Sequence, residues 1–378
     1  MSRPLVVAAC MCGILLSASR LSAQVAPAPP GAPAVGAPGP IFADAFQDQA
    51  QQEPEKPSPW LLLPIVSSGP KLGTSFGALG SYLHYFDAKS QVSMFGLMYE
   101  YSTTKSQVGA LFARTSFAED HQRLEALVGY AYIRNEYKDY MGTGQTFRTT
   151  DRMALGGGRY LFRAKGPWFV GAEGAFGDYS VEGETDRQNK VLDILGLAGF
   201  HIGGIGPILM YDSRDNQDMP GRGWYANLNY LANRTPLGAE DDFDTVRLDV
   251  KAFVPHGEAH VFAVRGNNQW THEAPTSAEA TLEIRAYKMG QYLGRHMTSI
   301  EGEERLHFSK RWGATIFGGA ACLYGSGKQL VASDGWYPFA GAGVQFIVKP
   351  EDHMLLDFEF AHGNLNNYGI YLRFGYAW

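Results

Sequence analysis

From Trp60 to the C-terminus, apolar and polar positions alternate with a period of two. Val246, Leu248, Val250, Ala252 and Val254 are interleaved with Arg247, Asp249 and Lys251. Leu124, Ala126, Val128, Tyr130 and Tyr132 alternate with Arg123, Glu125, Leu127, Gly129 and Ala131. Tyr368, Ile370, Leu372, Phe374, Tyr376 and Trp378 alternate with Gly369, Tyr371, Arg373, Gly375 and Ala377. Successive strand side chains point to opposite faces, so each run has one apolar face and one mixed or polar face. A soluble sandwich would bury the apolar face, whereas a membrane barrel turns it to lipid and keeps a polar lumen.

Run length and turn rhythm separate the two. The runs are about 10 residues long, as a tilted membrane strand requires and roughly twice the soluble mean. Short turns at 86–90, 117–120, 163–166, 255–258, 310–312 and 349–352 alternate with longer loops. The longer loops are 135–146, 179–190, 233–244, 272–298 and 324–337. The pattern predicts an all-β chain, an antiparallel transmembrane β-barrel of about sixteen strands with both termini periplasmic. Tyr99, Tyr101, Tyr130, Tyr132, Trp224 and Trp378 are expected near strand ends, in aromatic girdles. The stretch 194–211 lacks charged residues, but its five glycines and Pro207 predict a kinked strand, not a transmembrane helix.

Composition narrows the class. The chain has 378 residues, 19% charged and 13% aromatic, which argues against disorder. A mean hydropathy of -0.20 excludes a bundle of membrane helices. The 45 glycines suit many strands and tight turns. Lys+Arg 32 against Asp+Glu 38 leaves -6, with no basic excess to attract nucleic acid. Residues 1–23 read as a signal peptide: Arg3, an apolar run over 5–16, and Leu21-Ser22-Ala23 at the cleavage site. Its removal deletes Arg3 and Arg20, taking the charge from -6 to -8, and leaves Cys322 as the single cysteine. Residues 24–59 read as a Pro/Ala/Gln-rich periplasmic linker, and 60–378 as the outer-membrane barrel.

Several motifs lie within the barrel. Tyr211-Asp212-Ser213-Arg214-Asp215-Asn216, then Pro220, Gly221, Arg222, Gly223 and Trp224, has the form D-x-R-D-N…P-x-x-G. Arg285-Ala286-Tyr287 precedes Gly290 and Tyr292; Glu303-Glu304-Arg305 follows, and the chain ends on Tyr376 and Trp378. Together these resemble the bacterial surface-antigen superfamily of BamA/TamA-like outer-membrane barrels. The resemblance implies a sixteen-stranded barrel whose long loop between the eleventh and twelfth strands folds into the lumen. It implies that Arg285 meets Glu303 and its neighbours, with Arg305 beside them. It implies that the C-terminal aromatic pair is read by the assembly machinery. Four positions depart from the family, one of them Glu304, which stands at an outward aromatic position and implies a place at the rim, where charge costs little. Ala286 stands where the family has glycine, which implies a relaxed turn. Gly319 replaces an acidic residue, and Gln345 replaces an inward arginine. These changes imply an altered or weak latch. Only the linker precedes Trp60, so the chain reads as a barrel-only member without the family's periplasmic POTRA domains.

Candidate chemistry is sparse. Gly73-Thr74-Ser75-Phe76-Gly77 matches G-x-S-x-G, but that elbow needs strand, turn and helix, and here it runs into a strand. His256, Glu258 and His260 lack the H-E-x-x-H order of a zinc site. No enzyme activity, cofactor or metal is expected. The inward charges Arg123, Glu125, Arg247, Asp249, Lys251, Arg265, Asp357, Glu359 and Arg373 are expected to neutralise one another across strands. Glu303 and Arg305 are expected to serve the loop, and Asp212, Arg214 and Asp215 to clamp a periplasmic turn. The expected function is help with protein or lipid insertion or translocation at the outer membrane, through a seam between first and last strands. The alternative is a passive pore or a structural surface antigen. The expected partners are outer-membrane lipids, the assembly machinery and a protein or lipid client.

Overall fold

The computed structural model describes residues 59–69, 73–137, 146–195, 198–215, 220–257, 260–276, 278–325, 335–349, 354–364 and 366–374. The segments expected to be signal peptide and linker, up to residue 58, and Asn216, Glu258, Tyr376 and Trp378 lie outside the described residues.

Alternation sets the strands. The first six are β1 (Trp60–Gly69), β2 (Gly73–His84), β3 (Ser93–Ser102), β4 (Gln107–Phe117), β5 (Gln122–Tyr137) and β6 (Phe147–Lys165). Next come β7 (Trp168–Gly183), β8 (Gly199–Asp212), β9 (Gly223–Asn233), β10 (Phe243–His256) and β11 (His260–His272). Two short strands, β12 (Ala280–Thr281) and β13 (Leu293–Gly294), pair with each other inside the loop that follows. The wall resumes with β14 (His296–His307), β15 (Trp312–Tyr324), β16 (Trp336–Lys349), β17 (Met354–Gly363) and β18 (Tyr368–Phe374). The large sheet has 16 strands in the order β1 to β11, then β14 to β18. Every pairing is antiparallel, and β18 returns to lie beside β1, so the sheet is a barrel.

The outer face is apolar. Leu111 is 60% exposed, Val128 62%, Ile300 58% and Ile316 59%, each in mid-strand. So much exposed aliphatic surface on one continuous face suits lipid and not water. Aromatic pairs ring the end of the barrel that carries the N-terminus of β1, here the terminal rim. Trp60 lies 5.2 Å from Tyr82, Trp168 5.0 Å from Tyr211 and Trp312 4.8 Å from Phe346, ring centre to ring centre. Trp224 joins them at the start of β9, and Tyr99 and Tyr101 stand at the far end of β3.

Several expectations are corrected. Strands β5 to β8 have 16, 19, 16 and 14 residues, well beyond the ten or so that the alternation suggested. Tyr130 and Tyr132 are therefore not at a strand end, because β5 continues to Tyr137. The added length carries outward ion pairs, Arg148 with Glu136 and Arg152 with Glu182. Charges of this kind fit an aqueous rim and not hydrocarbon. The loop expected over 179–190 is instead the end of β7 followed by helix α1 (Asp186–Leu195). A capping box starts this helix: Gln188 N–H donates to Thr185 Oγ1 and Thr185 N–H to Gln188 Oε1, both at 3.2 Å. The uncharged stretch is β8, with Ile194 and Leu195 left in α1.

The lumen is not uniformly polar. Towards the rim opposite the termini its wall is an apolar core: Leu127, Ile133, Met153, Leu155, Val181, Ile202 and Phe243 are buried together. Leu192 of α1 and Ala278 of the long loop close onto this core. Inward apolar residues on β5 to β8 are satisfied by these inserted segments, which alternation within a strand cannot reveal.

Candidate functional site

The loop between β11 and β14 folds into the barrel. Residues 280–287 are buried without interruption. The β12–β13 pair stiffens it, and Thr281 Oγ1 donates to the Tyr292 carbonyl at 3.0 Å while accepting from Gly290 N–H at 2.8 Å. Three side chains then tie the loop to the wall. Glu283 accepts from Asn267 Nδ2 at 3.1 Å and lies 3.4 Å from Arg247 Nη1, which joins it to β10 and β11. Arg285 Nη1 donates to Glu359 Oε1 on β17 at 2.9 Å, and its Nη2 donates to Glu303 on β14. Its Nε lies 3.6 Å from Glu301, and its guanidinium sits 3.8 Å over the Phe317 ring. Arg305 Nε donates to the other Glu303 oxygen at 2.7 Å. Three carboxylates and two guanidiniums thus share one dry region, where each charge needs its partners.

Tyr287 is the third tie. Its hydroxyl donates to the Pro338 carbonyl at 2.8 Å and accepts from Asn364 N–H at 2.9 Å. Burial pushes the Tyr287 phenol up to about 12 from 10.0. The unfolded phenol ionises first, so its contribution to stability is complete below pH 10 and is lost as pH rises towards 12. Protease cleavage within 280–292 is expected to accelerate across that window. Tyr287→Phe, which loses these hydrogen bonds, is expected to be cleaved faster from neutral pH and to show a smaller pH step.

Ala286 keeps a left-handed backbone, with φ of 75°, and its N–H donates to Tyr371 Oη at 2.8 Å. The turn is therefore not relaxed by the loss of glycine. Gly319 faces Glu301 across the β14–β15 pairing, and a Cβ there would lie 2.1 Å from the Ile300 carbonyl oxygen. No acidic side chain fits at that approach. Gly319→Ala is expected to cost ~1–3 kcal/mol by forcing β14 and β15 apart. Gly302→Ala, whose Cβ would meet nothing nearer than 3.6 Å, should change little; urea midpoints in lipid vesicles check both. Gln345 is fully buried, and neither side-chain polar atom has a partner among the described residues.

At the terminal rim a second cluster forms around Asp120. It accepts from Arg123 Nε at 2.9 Å, from Ser116 Oγ at 2.7 Å and from Arg163 Nη2. Both guanidiniums stack on Phe169, at 4.1 and 4.3 Å from its ring centre. Arg123 Nη1 reaches Asp212 at 3.1 Å, and Arg214 Nε donates to the same carboxylate at 2.8 Å. Asp215 Oδ1 accepts from the N–H groups of Gly221 and Arg222, closing the turn, and Pro220 is buried. Gly223 has φ of 109°, and a Cβ there would lie 2.4 Å from the Ser213 carbonyl oxygen, so only glycine fits. A row of inward charges links this clamp to the loop. Arg214 and Lys251 share the Tyr225 ring, Lys251 meets Asp249, Asp249 meets Arg265, and Arg265 approaches Glu301 at 3.9 Å.

The structure thus brings Arg285 to Glu303 and Arg305, and Asp212 to Arg214. It places Ser75 near the start of β2 with a buried hydroxyl, and His256 on the outer face against Glu304 at 2.7 Å. Sequence reasoning missed Asp120, Arg163 and Phe169, which lie in or beside ordinary short turns. It also missed Glu283 and Glu301, although Glu301 is two residues from Glu303 and so shares its face.

No family model matches the chain, nor does any curated protein. Among solved structures, BamA from Haemophilus ducreyi lacking POTRA domains 1-3 is similar at 13% identity and a TM-score of 0.57, covering 84% of this chain and 70% of that one. CdiB from Acinetobacter baumannii is similar at 8% identity and a TM-score of 0.58, covering 83% of this chain and 59% of that one. CdiB from Escherichia coli is similar at 11% identity and a TM-score of 0.56, covering 85% and 63%. The chain therefore spans less than two thirds of either CdiB. At these identities the likeness concerns the fold, and this chain has the sixteen-stranded barrel fold of BamA and CdiB.

Proposed function

We propose that this chain is an outer-membrane barrel that assists the insertion or passage of a protein or lipid at its β1–β18 seam. Its N-terminus is then periplasmic, and loop 273–295 keeps the lumen shut. The observation that carries this reading is the uninterrupted burial of 280–287, tied to three sides of the wall by Glu283, Arg285 and Tyr287. A passive pore needs open water along its axis, and a buried loop of this kind works against it. The sheet order ends at β1 and β18, which supports the seam as the place where a client strand or a lipid is admitted.

The test uses vesicles carrying the full chain. A urea-denatured eight-stranded outer-membrane barrel is added, and its folding rate is followed by gel shift. The expected result is several-fold faster folding than in empty vesicles or in vesicles carrying a closed porin. Equal rates in all three, together with no faster lipid flipping, would overturn the proposal.

A further inference from the structure

Inside the barrel, walled by β4 to β7 and β9 to β11, lies a cavity of about 150 Å³. Its end towards the apolar core is formed by Phe112, Leu127 and Leu231, and its other end by Glu125, Arg159 and Glu173. The space exists because Gly157 and Ala175, on the inward faces of β6 and β7, put almost no side chain into it. A cavity of ~150 Å³ with apolar walls is large enough for one benzene-sized molecule.

Three cations, Arg114, Arg159 and Arg247, and three carboxylates, Glu125, Glu173 and Asp249, line it, and they are not paired equally closely. Arg159 grips Glu125 with two hydrogen bonds, Nε at 3.0 Å and Nη2 at 2.9 Å. Arg247 donates to Gln269 at 2.7 Å and to Glu283 at 3.4 Å. Glu173 is bonded to the Asn229 amide and has no ion pair within 4 Å among the described residues, with Arg159 and Arg247 attracting it from further off. Beside it Asn227, 7% exposed, has a carbonyl oxygen with no hydrogen-bond partner among the described residues. Glu173, held by one amide, and the Asn227 carbonyl, held by none, are two acceptors at one end of an apolar chamber with room for a further donor. Burial makes such groups costly until a donor arrives.

We propose that this lumen cavity is a binding site for a small organic ammonium ion. Its N–H groups meet Glu173 and Asn227, and its apolar body lies among Phe112, Leu127 and Leu231. A neutral ligand of the same shape keeps the apolar contacts and loses the charge-assisted ones, which are about twice as strong as neutral hydrogen bonds. An anion brings no N–H donor to Glu173 and Asn227. The site does not depend on what the seam does.

The test is calorimetric titration of the refolded full-length chain in micelles, corrected for empty micelles. Three probes of equal shape are used: benzylammonium, benzyl alcohol and benzoate. Benzylammonium is expected to saturate at about one per chain and to bind at least ~10-fold more tightly than the other two. Glu173→Gln is expected to remove that preference. Ala175→Leu, which fills the chamber and keeps the carboxylate, is expected to abolish binding of all three. If Glu173→Gln fails to fold, Ala175→Leu together with the order of the probes decides the matter. Absence of saturation, equal binding of alcohol and ammonium, or stronger binding of benzoate would overturn the proposal and leave the chamber to water.

Discussion

Arg285→Ala is expected to turn a quiet barrel into a noisy, conducting one in planar bilayers. The parent holds Arg285 between Glu303, Glu359 and Glu301, with Phe317 beneath it. Truncation leaves Glu303 with Arg305, but it takes from Glu359 the guanidinium seen bonded to it. Removing one partner from a buried charge cluster costs about 3–5 kcal/mol. Most of that cost falls on the docked state of the loop, because a displaced loop readmits water to the carboxylates. The loop is then expected to leave the lumen part of the time, and each departure opens a water path. Tyr287 and Glu283 still hold their own ties, so the current should flicker between levels and not rise to one steady value. A large steady conductance in the parent, unchanged in the variant, would show that the loop does not close the lumen. Arg285→Lys keeps the charge but cannot bridge several carboxylates at once, and is expected to fall between the two.

Asp120→Ala is expected to lower the unfolding free energy by about 3–5 kcal/mol, read from urea midpoints of the barrel in lipid vesicles. Asp120 is 7% exposed and takes hydrogen bonds from two guanidiniums and a serine. Without it Arg163 has no carboxylate within reach among the described residues, while Arg123 keeps Asp212. The turn itself is also strained. Ala118, Glu119 and Asp120 have φ of 56°, 58° and 59°, a left-handed run without glycine. Such a conformation costs about 1–2 kcal/mol per residue and must be held from outside. It is held by Asp87, which accepts from Glu119 N–H at 3.1 Å, and by Ser90 Oγ, which accepts from Asp120 N–H at 2.9 Å. Asp120→Asn keeps the shape and part of the hydrogen bonding, so its loss should be smaller. Equal midpoints for parent and Asp120→Ala would remove the clamp as a source of stability.

What was legible in the chain follows from period and distance. The sixteen wall strands, their antiparallel order and the lipid-facing side can be read from alternation, because a strand's own geometry dictates which residues share a face. Loop residue Arg285 and wall residues Glu303 and Arg305 were legible only through motif resemblance. Nothing local says that a side chain on one loop will meet a wall residue from 18 to 74 positions further along. Helix α1 carried a readable signal, Thr185 followed by Gln188, which the strand rhythm overshadowed.

The rest belongs to the closed barrel. Sequence by itself determined the class, the lipid-facing surface, the sites of the short turns and the alternation of inward and outward positions, since each depends on neighbours one or two residues apart. Only the tertiary structure decided that the lumen is half apolar and filled, that Asp120 gathers two arginines onto Phe169, and that a chamber remains beside Glu173. Those features arise where side chains from distant strands converge across the barrel. There, the space left over depends on the volumes of all of them together, and that is not a property of any one segment.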